Sequence, residues 1–480
     1  MSVLESIEPR PLFHYFEELT RIPRTSHNER AVSDYLVAFA KDRGLEVHRD
    51  EALNVIIAKE ATPGREGDEP IILQAHMDMV GEKLPDCPKD METEGVDVLV
   101  DGDFITADGT TLGADDGAGV AIALAILDDA ELAHPRIEFI CTAAEEVGML
   151  GAHALDASVL QGRRLLNLDS EEEGIALAAC AGGADVELRL PVKRERGFAR
   201  ARIAIEGLAG GHSGTEIDKG HPNGALLLAR VLFAGLEADK TMRLVKFSGG
   251  SKTNAIPSRA EAVIETANFD KIHEVARLLQ DHMAGEFPAE PNLRVVAEAI
   301  GHDSADETLP LTTKSTRIVL ALMETLPDGV QRMSEQVPGM VETSLNMGVS
   351  NLEDDAFVVR TAVRSSVMAE LDELIENVRW IGESLGASVE VTGSYPAWEW
   401  VEDSTLRGVV EDAYRDLFGK DMVVTSLHAG VECGLLAGKI ANLDAVSIGP
   451  DMTGVHTPAE RLSIPSFQRT YQLVQRVVSA

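Results

Sequence analysis

Residues 73–80 read LQAHMDMV and close an apolar run that begins at Ile71. On a strand, residues two apart point to the same face, so His76 and Asp78 share one side of the chain. An imidazole and a carboxylate at a strand end can be solvated polar residues. They can also face a common site, one binding a metal and the other serving it.

Reading outward from that run, NVIIAKE (54–60), RIEFICTA (136–143) and RLLNLD (164–169) are further short apolar stretches suited to buried strands. Helical stretches lie before and between them: 28–43 spaces Val32, Tyr35, Leu36 and Phe39 along one face, and 117–127 is small and apolar enough to pack on a sheet. Strands alternating with helices predict an α/β sandwich with a central, mostly parallel sheet. From about residue 186 the texture changes to strands alternating on one face, interspersed with the helical stretches NGALLLARVLFAGLE, KIHEVARLLQDHM and ELDELIENVRWIGESLG. Two such successions predict a second, inserted α+β domain of antiparallel sheet and helices, with internal duplication as one reading. After YPAWEW the α/β texture returns. The expected organisation is a first domain in two parts, 1–185 and 399–480, with the inserted domain at 186–398.

The chain has 480 residues, of which 44% are hydrophobic, enough for two sizeable cores. Its 80 acidic and 43 basic residues give a net charge of −37, which argues against nucleic acid and anionic membrane as partners. No apolar run approaches the roughly 18 residues of a membrane span, and the first residues lack the pattern of a signal peptide. Cys87, Cys141, Cys180 and Cys433 are scattered without CxxC spacing, so neither a disulfide framework nor a thiolate zinc site is indicated. The expectation is a soluble, cytoplasmic protein.

Four more stretches set acids or histidine at strand ends or helix starts: TLGADDGAGVA with Asp115 and Asp116, CTAAEEVGMLGA with Glu145 and Glu146, LLNLDSEEEG with Asp169, and GPDMTGVHTPAERL with His456. In open parallel sheets, sites form beyond the carboxyl ends of the strands. Two histidines and three carboxylates suit two borderline divalent cations such as Zn2+, with Mn2+ or Co2+ as alternatives. Such a pair activates water and polarises a carbonyl. The pattern points to a dinuclear hydrolase in which one of Glu145 and Glu146 binds metal and the other moves protons.

The order of these motifs, with GGHSG between them, resembles the co-catalytic zinc metallopeptidases. That superfamily includes carnosinases, bacterial dipeptidases, aminoacylases and glutamate-releasing carboxypeptidases. ACAGGAD (179–185), LAGGHSGTEID (208–218), GGSKTNAIPS (249–258) and LHAGVECGLLAGK (427–439) are similar to its Xaa-His dipeptidase branch. The resemblance implies one metal on His76 and Asp169, a second on Glu146 and His456, and Asp115 bridging them. It implies Glu145 as general base and acid, Asp78 as the carboxylate that orients His76, and a cis peptide after Asp115. It further implies His212 as an oxyanion donor, Asn254 and Arg364 as substrate contacts, and a small peptide as substrate. Glu432 could receive the substrate's ammonium. A homodimer is one arrangement such relatives adopt. His221 in DKGHPNGA stands where arginine is more usual, and DMTGVHTP also departs from the branch pattern. An N-acyl amino acid deacylase, a C-terminal carboxypeptidase and a non-catalytic metal-binding relative are the alternatives.

Overall fold

The apolar runs are strands in the computed structural model, which describes residues 3–195, 200–300 and 308–480. The chain forms two compact units. One comprises Met1–Cys180, Trp400–Ser426 and Val431–Ala480; the other comprises Ala181–Glu399 and Leu427–Gly430. The crossings lie within a few residues of the expected 185/186 and 398/399. The return of Leu427–Gly430 to the inserted unit has no signature in composition.

The first unit is built on eight strands: β1 Glu46–Arg49, β2 Val55–Lys59, β3 Ile71–His76, β4 Ile137–Thr142, β5 Arg164–Asn167, β6 Ile175–Cys180, β7 Val423–Leu427 and β8 Asp444–Ser447. Their order in the sheet is β1-β2-β4-β3-β5-β8-β6-β7. The sheet is mixed rather than largely parallel. β4, β3, β5 and β8 run parallel at its centre, while β2 against β4, β1 against β2, and β6 against β8 are antiparallel. All residues of β3 and β4 are buried, which explains their nearly continuous apolar sequence. Helix Ala114–Asp128 packs on β3, and its residues from Asp116 to Leu127 are buried. Its small side chains permit that approach: a Cβ on Gly119 would lie 2.4 Å from Asp116 Oδ1 and 2.8 Å from Leu168 Cβ.

The inserted unit has an antiparallel sheet whose main path runs Arg294–Ile300, Arg200–Glu206, Ala260–Glu265, Arg243–Gly249, Val341–Leu352, Ala356–Ser365, Gly182–Pro191, Ser388–Tyr395. Gly329–Met333 pairs alongside Val341–Leu352. Helices Gly224–Ala238, Phe269–Glu286, Thr313–Thr325 and Met368–Leu385 share a core with this sheet. The strand order is duplicated. Read inward from either edge, each half has the sequence strand, helix, strand, strand, helix, strand in the same arrangement, and the halves meet where Ser248 pairs with Asn351. The first half is contiguous and interrupts the second, between Gly182–Pro191 and Thr313–Thr325. DVELRL therefore belongs with the later succession, although it stands next to the earlier one in sequence.

Candidate active site

Because β3, β4, β5 and β8 are parallel, their carboxyl ends open on one side of the sheet. The residues that follow them carry His76 and Asp78, Glu145 and Glu146, Asp169, and His456. Asp115 joins them from the start of helix Ala114–Asp128, across a cis Asp115–Asp116 peptide.

Asp115 lies between two histidines: His76 Nε2 is 2.9 Å from its Oδ1, and His456 Nε2 is 3.0 Å from its Oδ2. His76 Nε2 is also 3.4 Å from Asp169 Oδ1, and His456 Nε2 is 2.9 Å from Glu146 Oε1. His76 Nδ1 faces Asp78 Oδ1 at 3.5 Å. Possible ligand atoms of Asp115, Glu146 and His456 lie within 4.8 Å of one another, as do those of His76, Glu145 and Glu146.

The electrostatics of this cluster ask for cations. Burial alone would lower the His76 pKa, yet Asp169 and Asp115 raise it well above its ordinary value. Hydrogen bonding to Asp115 and Glu146 pushes His456 up to about 10. Desolvation raises the Glu145 carboxyl well above its usual range and lifts Asp169 to about 7. Two imidazoles facing this many carboxylates leave a buried negative excess, which a pair of divalent ions would neutralise. The donor set of nitrogen and carboxylate oxygen fits such ions.

Further side chains hold these groups in place. Asp78 accepts from the amides of Glu145 at 3.0 Å and Glu146 at 3.3 Å, and from Ser26 Oγ at 2.8 Å. The two preceding amides are held similarly, Ala143 N by Asn54 Oδ1 at 3.0 Å and Ala144 N by Glu29 Oε1 at 3.1 Å. Four successive amides of the acidic loop thus meet side chains. Asp116, the second acid of GADDG, accepts from His76 N at 3.2 Å and Gly119 N at 2.9 Å, which spends both its oxygens on backbone.

Glu460 cradles the other loop. Its carboxylate accepts from the amides of Leu112 at 2.7 Å, Gly113 at 3.0 Å, Ala114 at 2.7 Å and Asp115 at 3.4 Å. From the other side the fully buried Arg24 donates to Met77 O at 2.9 Å, Asp78 O at 2.8 Å and Gly113 O. Gly113 is required here: its φ is +71°, and a Cβ would lie 2.6 Å from Arg24 Nη2. Neither Arg24 nor Glu460 was singled out from sequence. Their partners are backbone atoms far along the chain, and only the four-residue step from His456 to Glu460 hints at a role.

Glu432 lies deeper. It begins helix Glu432–Lys439 and is fully buried in the first unit, where Oε2 accepts from Gln74 Nε2 and Thr142 Oγ1, each at 2.6 Å. Burial pushes its carboxyl up to about 7. Its other oxygen, Oε1, is buried without a hydrogen-bond partner among the described residues.

In the inserted unit, His212 and Asn254 are drawn together by a two-stranded ribbon: His212 pairs with Ala255, and Ser213 N donates to Asn254 O at 2.9 Å. His212 Nδ1 accepts from Gly214 N at 3.2 Å and Thr215 N at 3.1 Å. That assigns the proton of the neutral ring to Nε2, leaving it as an outward donor. Arg364 belongs to the same unit, on strand Ala356–Ser365. His221 pairs with Glu290 at 3.3 Å.

Residues 72–480 match the model of peptidase family M20/M25/M40. The chain is 37% identical to the cytosol non-specific dipeptidase of Escherichia coli K12, over 100% of this chain and 99% of the relative. It superposes on the crystal structure of aminoacylhistidine dipeptidase from Vibrio alginolyticus with a TM-score of 0.92 and 35% identity, covering 99% of this chain and 97% of the other. Aminopeptidase PepT from Bacillus cereus, 18% identical with a TM-score of 0.57 over 98% of each chain, shares the fold. With its family model matched over most of its length and a full-length relative at this identity, the chain belongs to peptidase family M20/M25/M40.

Proposed function

We propose that this protein hydrolyses dipeptides, with Xaa-His dipeptides preferred, in the cytosol. The observation that carries the reading is Asp115, held between His76 and His456 while Asp169 and Glu146 face the same two rings. In this reading His76 and Asp169 would hold one divalent ion and Glu146 and His456 the other, with Asp115 within reach of both. Bound there, the ions, zinc by preference, supply Lewis acidity and lower the pKa of water.

Glu145 is given no metal in this assignment. It takes the proton from the attacking water and returns it to the leaving amine nitrogen. Asp78 keeps His76 oriented through Nδ1 and fixes the acidic loop through its amides. The inserted unit acts as a lid: His212 donates from Nε2 to the developing oxyanion, while Asn254 and Arg364 contact substrate. Arg364 takes the terminal carboxylate, for which a guanidinium fork is well matched.

A substrate panel tests the reading. Xaa-His dipeptides should show the highest kcat/KM, ahead of other dipeptides, tripeptides and N-acetyl amino acids, and chelator should abolish turnover until a divalent metal is restored. Faster cleavage of the acetylated compounds would reassign the protein to the deacylases.

A further inference from the structure

Arg364 has a companion that no motif announces. Its Nη1 donates to the hydroxyl of Tyr395 at 2.8 Å, and its buried Nε has no hydrogen-bond partner among the described residues. Arg364 pairs across the sheet with Gly183, and Gly183 pairs on its other side with Tyr395.

The surroundings are cut to fit that phenol. A Cβ on Gly183 would lie 2.6 Å from the Tyr395 hydroxyl oxygen and 2.9 Å from Cζ. A Cβ on Gly430, from a different part of the chain, would lie 2.6 Å from Tyr395 Cε2. Two segments remote in sequence therefore lack a side chain just where the ring sits, and neither glycine has a positive φ that would explain it otherwise.

We propose that Tyr395 is a positioning residue for the substrate's carboxylate end: its hydroxyl accepts from Arg364 Nη1 and sets the plane of the guanidinium. This rests on the reading that Arg364 binds the terminal carboxylate. A guanidinium is permanently charged but sits on a long, flexible stem, and it grips a carboxylate bidentately only when its plane is fixed. Tying one terminal nitrogen to a phenol that is itself wedged between glycines fixes that plane before substrate arrives.

The test compares the metal-loaded protein with Tyr395→Phe and Arg364→Ala, on alanyl-histidine and on its C-terminal amide. Phenylalanine keeps the ring packed and removes only the acceptor, and equal metal content in all three proteins checks that the fold is intact. Tyr395→Phe should lower kcat/KM for the free dipeptide about ten-fold, mainly through KM, while the amide changes by less than about two-fold. Arg364→Ala should erase the preference for the free carboxylate. Equal losses on both substrates, or no loss on either, in Tyr395→Phe would overturn the positioning role while leaving Arg364 as the anchor. A preference that survives Arg364→Ala would instead overturn the assignment of Arg364, and this inference with it.

Discussion

Glu145 and Glu146 are neighbours in sequence, and the loop that carries them gives them different company. Glu146 faces His456 at 2.9 Å, whereas Glu145 is raised by desolvation and has no such cationic partner at hydrogen-bond distance among the described residues. Ala144 just before them has a φ of +52°, a left-handed turn that a non-glycine residue adopts only where its surroundings hold it. Glu145→Gln should retain two metal ions by elemental analysis, since none of the proposed ligands is altered. Its kcat should fall by at least about 10²–10⁴-fold, the share general acid–base catalysis supplies. Loss of metal from this variant would mean that Glu145 is itself a ligand. The acids and histidines gathered here were legible because most stand at or after the ends of apolar strands, with Asp115 at the start of an apolar helix. The burial of Glu432 was not legible in GVECG, where the valine before it caps a helix that begins with the acid turned inward.

At the level of elements, the loops before helix Ala114–Asp128 and after β8 are joined by one side chain, Glu460. Its two oxygens each accept two amides, so Glu460→Gln would turn an NH2 group against N–H donors. The expected outcome is a folded protein by circular dichroism whose metal affinity falls about 10–100-fold, the usual effect of disturbing groups that support ligands. Wild-type metal retention against a chelator would show that Asp115 does not depend on this cradle. Supports of this kind leave little trace in a sequence. Asn54, Glu29, Arg24 and Glu460 act on backbone atoms, and nothing in a residue's identity reveals which remote amide it will meet. The mixed edges of the sheet were hidden likewise, because β2 and β6 are apolar runs whichever way they point. The doubled order of the inserted sheet was only half visible, since one copy is split around the other.

For the whole molecule the governing quantity is charge. A net −37 spread over 480 residues makes the folded state repel itself. Local pairs offset part of this, as where Arg415 meets Asp412 and Asp421, but exposed pairs are each worth only about 0–1 kcal/mol. Screening of the long-range repulsion should therefore win. Raising sodium chloride from about 10 to 200 mM shortens the Debye length from roughly 30 to 7 Å, and the melting temperature should climb by a few degrees. A flat or falling melting curve in differential scanning fluorimetry would mean that the local pairs outweigh the net field.

The interleaved path of the chain has a consequence in time. During synthesis, β3, β4 and β5 emerge with most of the acidic cluster, but β8 and the loop bearing His456 follow only after the entire inserted unit. Until then the nascent chain holds Asp78, Asp115, Glu145, Glu146 and Asp169 with His76 but without His456, and no strand is in the place of β8 beside β5. At about 5–20 residues per second, that interval lasts many seconds. If His456 holds metal as proposed, the ribosome releases a protein whose cutting chemistry is switched on only by its own completion.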